Sequence, residues 1–137
     1  MRINKFMTTN VETIPANATT KVAARKMHDL HLGVLPVVEN GKIVGILTDR
    51  DITCQVVATG HDAVMTQVHE VMKKNVVTCF DDEDLSEAAN LMKKNHVRRL
   101  TVLSRDNNIA GFLSVKDIAK GSHQLASGVL VASTTLH

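Results

Sequence analysis

The sequence predicts an α/β protein of the α+β type, built from two tandem β-α-β-β-α units. Two observations predict this class: segments of the chain recur about 65 residues apart, and the apolar spacing within each copy alternates between strand and helix periods. The chain of 137 residues is long enough for one ordinary domain and too short for two independent ones. Because one copy alone has too little core, we expect the two copies to pack face to face with pseudo-two-fold symmetry.

The repeat consists of identities at an almost constant offset. Met7–Thr13 aligns with Met72–Thr78 at an offset of 65, which becomes 66 after one residue is inserted in a loop. The identical pairs include Ala23/Ala88, Met27/Met92, His31/His96, Leu35/Leu100, Val37/Val102, Ile43/Ile109, Gly45/Gly111, Leu47/Leu113, Asp51/Asp117 and Ile52/Ile118. We assign residues 1–65 to the first repeat (core about 7–60), residues 66–121 to the second, and residues 122–137 to a tail whose structure is not predicted.

Each repeat contains a signal for every element in turn. The elements predicted for the first repeat are a strand over Val11–Ile14, a helix with apolar residues from Val22 to Leu30, hairpin strands over Val34–Val38 and Ile43–Leu47, and a helix over Asp49–Ala58. Those predicted for the second are a strand over Val76–Phe80, a helix with apolar residues from Leu85 to Met92, hairpin strands over Leu100–Leu103 and Ile109–Leu113, and a helix over Val115–Lys120. Asn40-Gly41 is the strongest turn signal of the chain, because this dipeptide favours a two-residue hairpin turn.

The composition argues against nucleic-acid binding. The three aromatic residues are Phe6, Phe80 and Phe112, too few for modules that stack bases on aromatic side chains. The formal charge of +2 is spread evenly along the chain, so there is no basic footprint for DNA. The core must be aliphatic.

The sequence predicts a reduced, cytoplasmic protein. Residues 1–10 lack the apolar core of a signal peptide, and no apolar stretch approaches the ~20 residues of a membrane span. Cys54 and Cys79 lack the spacing of a metal site or a redox motif. We expect Cys54 to be packed on an amphipathic helix, since Ile52 and Val56 are its neighbours.

Two segments carry a family resemblance. Leu35-Pro-Val-Val38 followed by Gly45-Ile-Leu-Thr-Asp-Arg-Asp-Ile52 resembles the signature of a CBS (cystathionine-β-synthase-type) repeat. Val97-Arg-Arg-Leu-Thr-Val-Leu103 followed by Gly111-Phe-Leu-Ser-Val-Lys-Asp-Ile118 looks like the same signature. The resemblance covers about residues 6 to 120, and paired repeats without another domain resemble a stand-alone CBS pair, or Bateman module.

The resemblance implies a regulatory function without catalysis. CBS pairs sense adenosine-containing ligands, so the candidates are AMP, ADP, ATP or S-adenosylmethionine, bound in clefts between the repeats. Binding would shift the packing of the repeats, which a dimer mate or an effector protein would detect. Such modules often form homodimers. No cofactor is required by this interpretation.

The first candidate ligand-binding residues are Thr48 with Asp51 and Ser114 with Asp117, each at the start of a second helix. A carboxylate can accept two hydrogen bonds from a ribose diol, and a hydroxyl with first-turn N–H groups can bind phosphate oxygens. The family uses the matching residues in this way. The same Ser/Thr-x-x-acid spacing is also a capping box, which needs no ligand. Both interpretations stay open, as does the hypothesis of a dimeric interaction scaffold that binds no ligand.

A difference in charge separates the two repeats. Arg98-Arg99 precedes the second hairpin where the first repeat has Gly33-Val34. Guanidinium groups bind phosphate through paired hydrogen bonds, and the family often places basic residues here. We therefore expect the site with Ser114 and Asp117 to be the better nucleotide site, unless the arginines only form a solvated basic surface.

The early strands supply the remaining candidates. By the resemblance, Thr13, Ile14 and Pro15 in the first repeat, and Thr78 and Cys79 in the second, line the base pocket; alternatively they are core strand residues. The histidines do not form a metal site in the sequence, because His69-Glu70 lacks the second histidine of a zinc-protease motif at Lys73. No catalytic residues and no metal ligands are assigned.

Overall fold

Both copies of the repeat fold as β-α-β-β-α in the computed structural model, which describes residues 1–134. Each copy forms its own three-stranded sheet, so the predicted mixed α/β class is confirmed. The chain divides into two units. Glu12–Val76 forms the repeat-1 unit, and Met1–Val11 together with the chain from Val77 forms the repeat-2 unit.

The repeat-1 unit contains a sheet in the order β1-β2-β3. Its elements are β1 (Ile14–Pro15), α1 (Thr20–Leu30), β2 (Val34–Glu39), β3 (Lys42–Thr48), α2 (Asp49–Ile52), which continues as a π-helix over Thr53–Val57, and α3 (Val68–Val71). Thr19 caps α1 by accepting a hydrogen bond from the Val22 amide, and His31 ends it in the left-handed region at φ 56°. Asn40 and Gly41 also have positive φ, as the predicted turn requires.

The repeat-2 unit has the same sheet order, β4-β5-β6. A short 3₁₀ helix (Ile3–Lys5) precedes β4 (Thr78–Phe80), α4 (Leu85–Asn95), β5 (Arg99–Leu103), β6 (Ile109–Ser114), α5 (Val115–Gly121) and α6 (His123–Thr134). His96 ends α4 at φ 56°, as His31 ends α1, so the recurring histidine occupies the same left-handed helix end in both repeats. The tail left unpredicted is therefore helical over His123–Thr134.

The segment before each first strand explains why the units differ from the predicted boundaries at residues 65 and 66. Lys73 forms two backbone hydrogen bonds of 2.9 Å with Ile46 on β3, although the sequence assigns it to the second repeat. Thr8 pairs in the same way with Phe112 on β6, although the sequence assigns it to the first repeat. Each unit therefore combines one repeat with the segment that leads into the other repeat.

Each unit has an aliphatic core between its sheet and its helices. The fully buried aliphatic residues include Leu35, Val37, Leu47 and Val68 in the repeat-1 unit, and Leu85, Met92, Leu100, Val102, Leu113 and Ile118 in the repeat-2 unit. Burial of one such side chain contributes about 1.5–3 kcal/mol. In the repeat-2 unit, Ala126 and Val129 of α6 join the same core and are 4% and 0% exposed.

One prediction about the cysteines is wrong. Cys54 is exposed, whereas Cys79 is buried. Val56 is the buried residue of this helical segment, and residues two positions apart in a helix lie on opposite faces, so Cys54 lies on the exposed face.

Candidate ligand-binding site

Thr48 and Asp51 form a complete capping box at the start of α2. The Thr48 Oγ1 accepts a hydrogen bond of 3.2 Å from the Asp51 amide, and the Asp51 Oδ2 accepts one of 2.9 Å from the Thr48 amide. These two bonds satisfy two backbone donors that a helix start leaves without partners. The capping interpretation of this motif therefore describes what the residues do in this structure.

Ser114 and Asp117 form the same box at the start of α5. The Asp117 amide donates to Ser114 Oγ at 3.2 Å, and the Ser114 amide donates to Asp117 Oδ2 at 2.9 Å. The Ser114 hydroxyl also donates to the same carboxylate oxygen at 3.1 Å. The cap thus uses one oxygen of each aspartate and leaves the other for a different partner.

A lysine occupies the second oxygen of each aspartate. Lys73 Nζ lies 3.5 Å from Asp51 Oδ1, and Lys120 Nζ lies 3.5 Å from Asp117 Oδ1. The aspartate side chains are only 9% and 11% exposed, whereas the lysine side chains are 63% and 68% exposed. Each carboxylate is therefore fixed by the backbone on one side and held by a solvated cation on the other.

Neither lysine was identified from the sequence. Lys120 was detectable in principle, because it lies one helical turn after Asp117. Lys73 lies beside Asp51 only because its segment pairs with β3, a contact between distant residues that no local pattern reveals. The first repeat thus has a cation at its candidate site that its local sequence does not show.

The structure brings the two arginines to the second candidate site. Arg99 is the register partner of Ser114 across β5 and β6, and the Arg98 carbonyl accepts a 2.9 Å hydrogen bond from the Val115 amide. Both arginines are exposed, and their guanidinium groups have no ion pair within residues 1–134. In the repeat-1 unit, Val34 is the corresponding partner of Thr48. The predicted charge difference therefore lies directly beside the capping boxes.

The early-strand candidates lie one strand away from the capping boxes. β2 separates β1 from β3, and Ile14 and Cys79 are 2% and 3% exposed within the cores. Thr13 and Thr78 are half-buried, and Pro15 is exposed. Burial, together with the nearby charge of Glu83, raises the pKa of the Cys79 thiol to about 12, so this thiol stays protonated at neutral pH. Ile14 and Cys79 are thus part of the buried cores, and the contact of the early strands with a base stays a prediction.

No cluster of three or more histidine, cysteine or acidic side chains that could hold a metal ion occurs among residues 1–134. Within the same range, none of the helices combines the length and hydrophobicity that crossing a membrane requires.

Comparison with known proteins identifies the family. The model of the CBS domain matches the chain twice, over residues 3–57 and 68–123. This chain belongs to the CBS-domain family. A CBS domain-containing protein of Bacillus subtilis (strain 168), YhcV, is 39% identical over 117 residues, which cover 85% of this chain and 82% of the relative.

Solved CBS-domain structures agree with the fold. The conserved CBS domain protein TA0289 of unknown function from Thermoplasma acidophilum has a TM-score of 0.83 and 26% identity, over 98% of this chain and 77% of its own. A hexameric CBS-CP12 protein from bloom-forming cyanobacteria has a TM-score of 0.74 and 32% identity, over 90% and 72% of the two chains. CBS pairs are generally regulatory and often bind nucleotides, so the regulatory class predicted from the sequence is supported at this level.

Proposed function

We propose that this CBS pair is a regulatory sensor of adenosine phosphates, with its main site at Ser114 and Asp117 and a second at Thr48 and Asp51. The observation that carries the proposal is the asymmetric use of each aspartate. Oδ2 is fixed by the cap, while Oδ1 faces a lysine that is more than 60% exposed. A mobile, solvated ammonium group is an exchangeable partner, because exposed ion pairs contribute only about 0–1 kcal/mol.

This arrangement of the carboxylate supports the proposed recognition of ribose. A ribose diol can donate hydrogen bonds to Asp117 Oδ1 while Oδ2 keeps the cap intact, so binding does not require the start of α5 to unfold. Hydrogen bonds to a charged acceptor contribute about 1.5–3 kcal/mol, which exceeds the value of the exposed ion pair that they replace. The displaced Lys120 is then close enough to meet an anionic group of the same ligand.

The local charges favour phosphate esters over S-adenosylmethionine. Lys120 lies beside the Asp117 carboxylate, and the backbones of Arg98 and Arg99 pair with the residues at the start of α5, so both arginines adjoin the same site. These cations attract the negative charge of a phosphate ester and repel the positive charge of a sulfonium group. A sulfonium ligand is therefore disfavoured at this site. The site at Asp51 has Lys73 without the arginines, and we expect weaker phosphate binding there.

Isothermal titration calorimetry with AMP, ADP, ATP, adenosine and S-adenosylmethionine tests the proposal. The informative variant is Asp117→Asn, because an asparagine side chain keeps an acceptor for the Ser114 amide and removes the charge. We expect it to weaken nucleotide binding about tenfold or more. Arg98→Met with Arg99→Met should weaken ADP and ATP binding and leave adenosine binding unchanged. Absence of binding for every compound would refute the sensor function.

A second candidate function is a self-associating scaffold in which the boxes act only as helix caps. Its support is that both boxes are complete without a ligand, and that the CBS-CP12 relative is hexameric. A homodimer that contacts an effector protein is the form we would expect for either function. Light scattering with and without ATP distinguishes them, since a scaffold keeps the same mass and the same thermal stability when the nucleotide is added.

A further inference from the structure

A groove of about 970 Å³ lies in the repeat-1 unit, away from its capping box. Its walls are the loop after β1, the turn between β2 and β3, and the segment from Gln67 to Lys74. Thr48, Asp51 and Lys73 do not line it. Of the early-strand candidates, Pro15 lines this groove, one strand away from the ribose site. The groove is large enough for a small-molecule ligand, since such sites measure about 300–1,000 Å³.

The repeat-2 unit has the same backbone frame at the corresponding place. In the repeat-1 unit the His69 amide donates to the Ala16 carbonyl at 3.0 Å, and at the equivalent position the Asn4 amide donates to the Asp81 carbonyl at 3.0 Å. The Asp81 amide in turn donates to the Leu103 carbonyl at 3.0 Å, and in the repeat-1 unit the Ala16 amide donates to the equivalent Val38 carbonyl at 3.0 Å. Differences between the two places therefore come from side chains.

In the repeat-2 unit, charged and aromatic side chains connect the turn between β5 and β6 with the loop after β4. The Arg105 guanidinium lies 4.1 Å from the centre of the Phe80 ring. It donates to both oxygens of Asp82, from Nε at 3.1 and 3.0 Å and from Nη2 at 2.9 Å. This hydrogen bonding, assisted by the more distant charge of Arg2, lowers the pKa of Asp82. One side chain thus spans from the hairpin turn to the loop after β4.

The repeat-1 unit replaces each of these charged groups by a carboxamide. At the equivalent positions Asn17 stands for Asp82, Asn40 for Arg105 and Gln67 for Arg2, while Pro15 replaces the phenylalanine ring. The side chains of Asn17 and Asn40 make no hydrogen bond to any of residues 1–134. Gln67 Oε1 lies 2.7 Å from His69 Nε2. The bridge is absent, and the groove is lined by amide groups that have hydrogen-bonding capacity to spare.

We propose that this groove binds a small molecule through a planar, uncharged amide group. A carboxamide presents a donor beside an acceptor, which is complementary to the edge of a second amide, whether in a nucleobase ring or in a linear primary amide. Apolar surface from Pro15, Val38 and Val44 is available to the flat face of the ligand. Glu39 and Lys74 place opposite charges at the groove, so its walls do not favour a strongly charged ligand.

The side-chain NH₂ signals of Asn17 and Asn40 in ¹⁵N–¹H NMR spectra of the full chain are a direct probe. Titration with uracil tests a cyclic amide, and titration with propionamide tests a linear one. Saturable shifts of these signals with uracil assign nucleobase chemistry, and shifts with propionamide alone assign linear amides. If neither probe shifts them up to its solubility limit, the proposal is wrong.

Two variants make the test specific. Pro15→Phe combined with Asn17→Asp and Asn40→Arg rebuilds the bridge of the repeat-2 unit and should weaken binding at least about tenfold, since it removes two or more hydrogen bonds. Asn17→Ala with Asn40→Ala leaves the groove open and should weaken binding equally, as monitored by the backbone amide signals of Val38 and Val44. Unchanged affinity in the double alanine variant would contradict recognition by the amides even if the triple variant failed to fold.

Discussion

Replacement of Asp117 by alanine and by asparagine separates its capping role from its charge. Alanine removes the acceptor of the Ser114 amide at 2.9 Å and of the Ser114 hydroxyl at 3.1 Å. Each of these partly buried bonds contributes about 0.5–1.5 kcal/mol. The ion pair with Lys120, which is 68% exposed, adds at most about 1 kcal/mol. We therefore expect Asp117→Ala to lower the free energy of unfolding by about 1.5–3 kcal/mol.

Asparagine keeps an acceptor for the Ser114 amide, so Asp117→Asn should cost less than about 1 kcal/mol. For a chain of this length the alanine variant should melt about 5–12 °C below the wild type, and the asparagine variant at most about 4 °C below. Thermal unfolding by circular dichroism at pH 7, repeated in 1 M NaCl, measures both. Equal melting temperatures of the two variants, both below the wild type by an amount that disappears in 1 M NaCl, would show that the aspartate acts through its charge and not as a cap.

Three further predictions follow from the described contacts. Gly111→Ala should lower the free energy of unfolding by about 1–3 kcal/mol in chemical denaturation, because its Cβ would lie 2.5 Å from the Thr8 carbonyl oxygen, and a stability equal to that of the wild type would contradict the clash. Iodoacetamide at pH 8 should add one group to the native protein, at exposed Cys54, because the Cys79 thiol has a pKa of about 12; mass spectrometry that finds two adducts under native conditions would disprove this. Lys73→Met should weaken nucleotide binding at the repeat-1 site more than Lys73→Arg, which keeps the charge, and equal affinities by calorimetry would remove Lys73 from that site.

Local patterns predicted most of the fold. Asn40 and Gly41 specify a turn through their own backbone preferences, and the box formed by Ser114 and Asp117 depends on residues three positions apart. Such features are encoded within a few residues, so a sequence without an alignment reveals them. The repeat is detected by aligning the two halves of the chain with each other.

The features that sequence reasoning missed depend on distant contacts. Lys73 reaches Asp51 through a backbone pairing with Ile46, and the exchanged segments that define the two units have the same origin. The helix α6 was missed for another reason. It is uncharged apart from its histidine, so it lacks the polar face that marks an amphipathic helix, and it is stabilised by the buried contacts of Ala126 and Val129.

The lysines show that the two repeats reached the same electrostatic arrangement by separate routes. The aspartates occupy equivalent positions, but the position equivalent to Lys73 is Thr8, and the position equivalent to Lys120 is Cys54. The shared backbone of the repeats accounts for the aspartate, the hydroxyl and the cap in both units. It does not account for the cation, which is Lys73 from a neighbouring segment in the repeat-1 unit and Lys120 from α5 in the repeat-2 unit. Because a cap needs only one carboxylate oxygen, the cap does not require the lysine either. A requirement for a cation beside the second oxygen accounts for both placements, and the anionic ligand that we propose for these sites is one source of that requirement.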